Sequence, residues 1–344
     1  MNIKTKITKL HYDRKAKGLL VALLDGCAYF YGLGSSFKNF LYDKGILKPK
    51  KVDAFVISVG NMTTGGVGKT PVVLEIARYL KKKKQIVAIV SRGYGGKLSN
   101  DKINVISDGQ KVFYDAKMAG DEPFMLAQKA DGVIVLTCKN RYNAAKYAVK
   151  KFGASVIILD DGFQHRKLHR DFDIVLMDSK MGLGNEKLLP AGPLREGAEA
   201  FDRIDKLLVV SKNIDHKNAE EFAKIMEKNL NIPTQMCYTE PDYVYNIKTG
   251  ELLPLGEEVT AICAIGQPQH FFDFLKEDYN VTETIALDDH YQYSPIDLVD
   301  IEGNIVTTEK DAVKLLRFDK DNIYALKLKT FVDVGKLLKN ATKR

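Results

Sequence analysis

The sequence predicts an α/β protein: a doubly wound, mostly parallel sheet, followed by a second, smaller α/β unit toward the C-terminus. Three observations predict it. From residue 55 onward, short continuous apolar runs alternate with longer stretches of helical period, the pattern of parallel strands covered on both faces by helices. A glycine-rich stretch joins the first apolar run to the first of those helices. After about residue 212 the texture changes to one helical stretch, a tyrosine-bearing segment and shorter alternating elements.

In chain order, the first element is an apolar segment at 18–34, preceded by Lys4, Lys6 and Lys9. No early apolar core with a small-residue cleavage site follows those lysines, so no secretory signal is expected and the chain is read as staying inside the cell. The segment is roughly 17 residues long and contains Asp25, which is short and polar for a membrane span. It reads as a helix lying on a membrane, with Tyr29, Phe30 and Tyr31 as interfacial aromatics. Arg14, Lys15, Lys17, Lys38, Lys44, Lys48, Lys50 and Lys51 would meet anionic head groups. A buried helix of the fold is the alternative, and periodicity does not separate the two.

Six strands are expected at 55–59, 86–90, 133–136, 156–159, 174–177 and 207–210, with the clearest helices at 71–82 and 141–151. Tyr238, Tyr243, Tyr245 and a Lys248-Thr249-Gly250 turn signal predict a hairpin within 236–253. Strands at 260–265, 304–307 and 322–326 complete the smaller unit. The expected division is therefore a membrane-associating segment (1–50), a core (51–235), a hairpin linker (236–255) and a smaller α/β domain (256–344). A chain of 344 residues is long enough for two domains.

Composition excludes several classes. With 45% hydrophobic and 28% charged residues the chain is neither disordered nor fibrous. Cys27, Cys138, Cys237 and Cys263 show no C-x-x-C spacing, so neither a zinc site nor a disulfide framework is indicated, and reduced buried thiols are expected. Lys and Arg number 52 against 44 Asp and Glu, and the net charge of +8 suggests an anionic partner: phosphate, nucleic acid or lipid head groups. No RNA- or DNA-binding motif accompanies it, so nucleic acid is not expected.

The motif of greatest weight is Gly60-Asn61-Met62-Thr63-Thr64-Gly65-Gly66-Val67-Gly68-Lys69-Thr70-Pro71, at a strand-to-helix junction. Phosphate oxygens need many N–H donors at close range, which glycines permit, and a helix N-terminus adds its dipole. This is a P-loop: Lys69 would hold the β- and γ-phosphates of ATP and Thr70 would ligate Mg²⁺. The spacing departs from G-x-x-x-x-G-K-[ST], because Thr63 stands five positions before Gly68. Pro71 suits a first helical turn.

Val156-Ile157-Ile158-Leu159-Asp160-Asp161 resembles a Walker B strand, whose terminal carboxylates would orient Mg²⁺. A strand-ending turn into Gly162 is the plainer alternative. Gly120-Asp121-Glu122-Pro123 opens a helical stretch. Asp121 there is either an N-cap or a carboxylate that accepts the proton of an acceptor hydroxyl. Ser91-Arg92-Gly93-Tyr94-Gly95-Gly96 would bring Arg92 near a phosphate, or be an ordinary loop. His165, His169 and His290 lack metal-ligand spacing.

Taken in order, the P-loop string resembles the tetraacyldisaccharide 4′-kinase family of lipid A biosynthesis. So do Ser91-Arg92-Gly93-Tyr94-Gly95, Gly120-Asp121-Glu122-Pro123, Asp160-Asp161-Gly162-Phe163-Gln164-His165, Pro190-Ala191-Gly192-Pro193-Leu194-Arg195-Glu196, Asp289-His290-Tyr291 and Thr308-Glu309-Lys310-Asp311. The match runs from about residue 19 to 315. The resemblance implies transfer of the ATP γ-phosphoryl group to the 4′-hydroxyl of a tetraacylated glucosamine disaccharide 1-phosphate, with Mg²⁺, at the cytoplasmic face of the bacterial inner membrane. It implies Asp121 as catalytic base paired with His290, and Asp160 and Asp161 in the Mg²⁺ region. Arg92, Tyr94, Glu122, Gln164 and Glu196 would lie in or beside the site. It implies two unequal α/β/α domains joined by a β-hairpin, with a membrane-associating N-terminal helix. The rival class is a membrane-associated switch or partition ATPase, whose loops carry Lys just before the glycine pair, where this chain has Thr64.

Overall fold

The computed structural model describes residues 3–212, 216–266, 268–289, 291–339 and 341. A short helix α1 (Ile3–Leu10) precedes the long α2 (Leu19–Asp43). The sheet-bearing chain then runs β1 (Phe55–Asn61), α3 (Lys69–Lys82), β2 (Val87–Ser91), β3 (Asn104–Asp108), α4 (Ala116–Ala119), α5 (Asp121–Lys129), β4 (Ile134–Thr137), α6 (Arg141–Phe152), β5 (Val156–Asp160), β6 (Phe172–Asp178), β7 (Lys206–Ser211) and α7 (Lys217–Leu230). A 3₁₀ turn at Ala198–Arg203 lies between β6 and β7. The remainder is β8 (Thr234–Asn246), β9 (Glu258–Cys263), α8 (Pro268–Asp278), β10 (Asn280–Ala286), α9 (Ile296–Val299), β11 (Asn304–Thr308), α10 (Glu309–Leu315), β12 (Ile323–Phe331) and α11 (Val334–Leu337).

The strands form one sheet of twelve in the order β10-β9-β11-β12-β8-β7-β6-β1-β5-β2-β4-β3. Pairing is parallel except where β3 meets β4 and β12 meets β8. The six expected strands of the first half are all present. β1 lies between β5 and β6, with Val59 opposite Asp160 and Asn61 opposite Leu176. Their side chains are buried on both faces. Ile57, Ile89 and Ile158 pack with Val72, Ile76 and Leu126 from α3 and α5 on one face, and Val56, Val90 and Ile157 pack on Ala144, Ala145 and Ala148 of α6 on the other. Each such aliphatic burial stabilises by about 1.5–3 kcal/mol, and the alanine stripe lets α6 lie close to the sheet.

Two strands were not expected. β3 is an antiparallel edge strand of sequence Asn-Val-Ile-Ser-Asp, with only Ile106 and Ser107 buried. β10 is the opposite edge and is largely exposed. Both lack the continuous apolar run that marks a central strand.

The predicted hairpin is present in a different form. A turn closes through Gly250 N–H to Asn246 O (2.9 Å) and Leu253 N–H to Val244 O (2.9 Å), but the returning arm is only a bridge between Tyr245 and Leu252. The main partners of β8 lie elsewhere: residues 234–238 pair parallel with β7 and 238–246 antiparallel with β12. Pro241 sits beyond the β7 pairing, opposite Leu328 where the register shifts, so its missing N–H costs no ladder bond there.

α2 is not a core helix. Leu19, Leu23, Phe30 and Phe37 are 80%, 61%, 73% and 63% exposed, and only Ala28, Gly32 and Asn39 are buried. At 25 residues it is long and apolar enough to cross a membrane by length and composition. Its inner face is tied to the residues after β5: Tyr31 Oη donates to Arg195 O (2.9 Å), Lys38 Nζ to Gln164 O (3.2 Å) and Lys187 Nζ to Asp25 (2.8 Å). Arg166 Nη2 donates to Asp43 Oδ1. The cysteines are free. Cys138, Cys237 and Cys263 are buried as expected, whereas Cys27 lies exposed on α2.

Candidate active site

β1 ends at Asn61 and α3 begins at Lys69, so the glycine-rich loop caps the carboxyl edge of the sheet beside β5 and β6, where open α/β sheets bind ligands. Gly65 and Gly66 lie exposed on the loop crest, while Val67 turns its side chain into the core. Gly68 caps α3 in the left-handed region, φ 84°, a conformation glycine adopts without penalty. The loop is braced from three sides. Thr64 N–H donates to Pro193 O (2.8 Å), Arg195 N–H to Met62 O (2.9 Å) and Lys212 Nζ to Gly66 O (2.6 Å). Thr63 bridges Leu194. The shifted glycine spacing is thus accommodated by a second strand-like segment, 193–195, lying along the loop.

Lys69 Nζ donates to Asn61 Oδ1 (2.9 Å) and lies 3.4 Å from Asp161 Oδ1. Arg195 Nη1 contacts both Asp161 oxygens at 2.9 Å and Gln164 Oε1 at 3.4 Å. Gln164 Nε2 returns to Asn61 O (3.1 Å). Asp161 itself has φ 54°. Burial pushes its carboxyl up, but Lys69 and Arg195 outweigh that and hold it down at about 2. Asp160, the last residue of β5, behaves oppositely: burial and then the charge of Glu122 push it up to about 7, against Lys69 and Arg141. Adjacent carboxylates therefore sit in contrasting fields. His165 is pushed down to about 3 by burial and the nearby Arg141, which keeps it neutral.

Asp121 opens α5 but does not cap it. Gly120 is the N-cap residue, and the buried Asp121 carboxylate lies 3.1 Å from Lys314 Nζ of α10. The capping alternative is thereby displaced by an ion pair from the other half of the sheet. Glu122 is close enough to Asp160 to raise its pKa, so the start of α5 faces the end of β5. Tyr94, 71% exposed, and Arg92 belong to the loop after β2, whose backbone packs on the same turn: a Cβ added to Gly120 would come 2.6 Å from Tyr94 O. Glu196 is buried and paired with Arg203, whose guanidinium lies over the Phe163 ring. It follows the 193–195 segment and lies near Tyr31 and Lys38 of α2. His290 lies outside the described residues.

Mg²⁺ favours oxygen donors and takes few protein ligands besides substrate phosphates. Among the described residues there is no group of three or more His, Cys, Asp or Glu that would cage a metal alone. Thr70 in the first turn of α3, with a buried Asp160 whose carboxyl is pushed up by burial and by Glu122 more than Lys69 and Arg141 offset, fits a cation that completes its shell with phosphate oxygens.

The family model "Tetraacyldisaccharide-1-P 4′-kinase" matches residues 20–343. The chain belongs to the tetraacyldisaccharide 4′-kinase family. It is 40% identical over 293 residues to a tetraacyldisaccharide 4′-kinase of Desulfotalea psychrophila (81% of this chain, 83% of that one). It is 36% identical over 332 residues to one of Halothermothrix orenii (88% and 83%). The crystal structure of the "apo" form LpxK from Aquifex aeolicus in complex with ATP superposes with a TM-score of 0.77 at 34% identity, covering 95% of this chain and 99% of that one. The family consists of ATP-dependent kinases, so this chain is a kinase, and the switch-ATPase alternative falls away. Four cations that contact the sequence-predicted residues had no assigned role from the sequence: Arg195 and Arg141 on Asp161, Lys212 on the Gly66 carbonyl and Lys314 on Asp121. Arg195 stands inside a motif that was noted, and only the structure shows its contact with Asp161.

Proposed function

We propose that the chain transfers the γ-phosphoryl group of ATP to the 4′-hydroxyl of a tetraacylated glucosamine disaccharide 1-phosphate, giving lipid IVA, at the cytoplasmic face of the inner membrane. The observation that carries the reading is the convergence of Lys69 with Asp161 at the P-loop, next to the turn that presents Asp121. Lys69 contacts Asn61 and Asp161. Triphosphate entering the loop would draw its ammonium onto the β- and γ-oxygens, while Arg195 remains to balance Asp161. Asn61, Thr63, Thr64, Gly65, Gly66, Val67, Gly68, Thr70 and Pro71 shape the cradle whose amides meet those oxygens.

Asp121 receives the proton of the acceptor hydroxyl as its oxygen bonds to the γ-phosphorus. The bond from that phosphorus to the β–γ bridging oxygen breaks, and ADP leaves with the electron pair. His290 joins Asp121 by motif match. Thr70, Asp160 and Asp161 would hold Mg²⁺, which supplies charge neutralisation on the phosphate oxygens. Arg92, Tyr94, Glu122 and Gln164 border the acceptor side. The exposed apolar face of α2, with its aromatics, supports a monotopic seat in the bilayer surface, so the acyl chains need not leave the lipid. The hairpin region 236–255 links the kinase core, 51–235, to the smaller domain, 256–344.

Counting ADP against acceptor tests this reading. A kinase releases ADP only when the acylated disaccharide 1-phosphate is present, one per acceptor consumed. Equal ADP release with and without acceptor would overturn it.

A further inference from the structure

Lys314 is 5% exposed, among the most buried cations of the chain. Its ammonium lies 3.1 Å from Asp121 Oδ2, 3.1 Å from Asp311 Oδ1 and 3.2 Å from Tyr291 O. Three donors thus meet three acceptors. Asp311 cannot follow the lysine elsewhere, because its Oδ2 accepts from Ala264 N–H (2.8 Å) and Thr308 Oγ1 (2.9 Å) and its side chain is fully buried. The lysine is therefore locked on the α10 side by Asp311. It reaches from there to two groups of different origin: the carboxylate that opens α5 in the P-loop half, and the backbone of Tyr291, the residue after His290 in the chain. A second tie, Lys129 of α5 to Glu309 of α10, sets the same two helices against each other.

We propose that Lys314 is a positioning residue for phosphoryl transfer, fixing the Asp121 carboxylate relative to the backbone of Tyr291. This rests on the reading of Asp121 as the group that takes the acceptor proton. Buried ion pairs contribute little net stability against apolar replacements of similar size, whereas loss of one partner leaves an uncompensated charge. A lysine holding three acceptors across two halves of a sheet is thus better explained by alignment than by stability. Placement errors near 1 Å lower turnover about 10²-fold.

The test is a double-mutant cycle of Lys314→Met with Asp121→Asn, reading kcat, the KM for ATP and the melting temperature. Lys314→Met is expected to lower kcat by about 10- to 100-fold with the KM for ATP changed less than about threefold. In the Asp121→Asn background the same substitution is expected to lower kcat less than about threefold, because the residue it positions is gone. Full additivity, or a loss expressed only in melting temperature and ATP affinity, would overturn the proposal and leave Lys314 a structural tie. An unchanged kcat in Lys314→Met beside a crippled Asp121→Asn would overturn it while sparing the reading of Asp121. Normal kcat in Asp121→Asn would remove that reading itself. Should Lys314→Met not fold, the cycle is run with Lys314→Gln, which retains a donor, and with the charge-free double variant.

Discussion

Asp160 offers a test of the site's electrostatics that needs no substrate. Its carboxyl is 4% exposed and pushed up to about 7, burial being the largest cause and the Glu122 charge the next. A carboxyl whose folded pKa exceeds its ordinary 3.8 destabilises the fold as pH rises, since the unfolded chain ionises first. The loss begins near pH 4 and is complete only above about 7. Across that window it amounts to on the order of 4 kcal/mol, from about three pH units at about 1.4 kcal/mol each. Glu122→Gln removes the second cause. It should leave the ligand-free protein more stable than the parent above pH 7 by about 1 kcal/mol, the worth of a near charge pair in a partly desolvated setting. The assay is urea unfolding in EDTA at pH 5, 6, 7 and 8 for both proteins. The variant's curve should diverge from the parent's upward with pH, while the histidine contributions are common to both. Adding Mg²⁺ should flatten the parent's slope, because a cation favours the ionised carboxylate. His165, held down at about 3, raises the stability of both proteins over the same range, so the difference between the two curves is the readout, and parallel curves would refute the assigned cause.

Lys69→Met should lower kcat/KM for ATP by about 10²- to 10³-fold with the fold retained, measured by steady-state transfer rates and circular dichroism. Gly60→Ala should destabilise by about 1–3 kcal/mol in urea unfolding, because the new Cβ would lie 2.6 Å from Phe163 Cβ and 3.0 Å from Phe163 N, and Phe163 is fully buried. Phe30→Asp with Phe37→Asp, both on the exposed face of α2, should reduce flotation with anionic vesicles by about 10-fold or more while leaving the melting temperature unchanged.

Much of this organisation was legible in the residues. The P-loop declared itself because glycines, a lysine and a hydroxyl must occupy fixed offsets after a strand. The six inner strands did so because burial on both faces demands unbroken Val and Ile runs. β3 and β10 escaped because edge strands keep polar residues on their open sides. β8 was read as one arm of a hairpin because its turn residues are local, whereas its true partners, β7 and β12, are set by the sheet as a whole. The site shows the same division. Asp160, Asp161, Lys69 and Arg195 lie in recognisable strings, but the pairing between those strings is not written in any of them. Arg195 reaches Asp161 across 34 residues, and Lys314 reaches Asp121 from the far half of the chain. No periodicity encodes such a pairing. The orientation of α2 was undecided in sequence for a related reason: an apolar helix reads alike in a core or at a surface, and only the exposure of Leu19, Leu23, Phe30 and Phe37 separates the two.

The most direct test of the central claim follows the phosphorus. Acylated glucosamine disaccharide 1-phosphate dispersed in detergent is incubated with γ-labelled ATP, with Mg²⁺ or EDTA, and the product is analysed by mass spectrometry and phosphorus NMR. The account predicts one added phosphate on the 4′-oxygen of the lipid, formed only with Mg²⁺ and lost in Lys69→Met. Label released as inorganic phosphate, or placed on the lipid at any other oxygen, would contradict it.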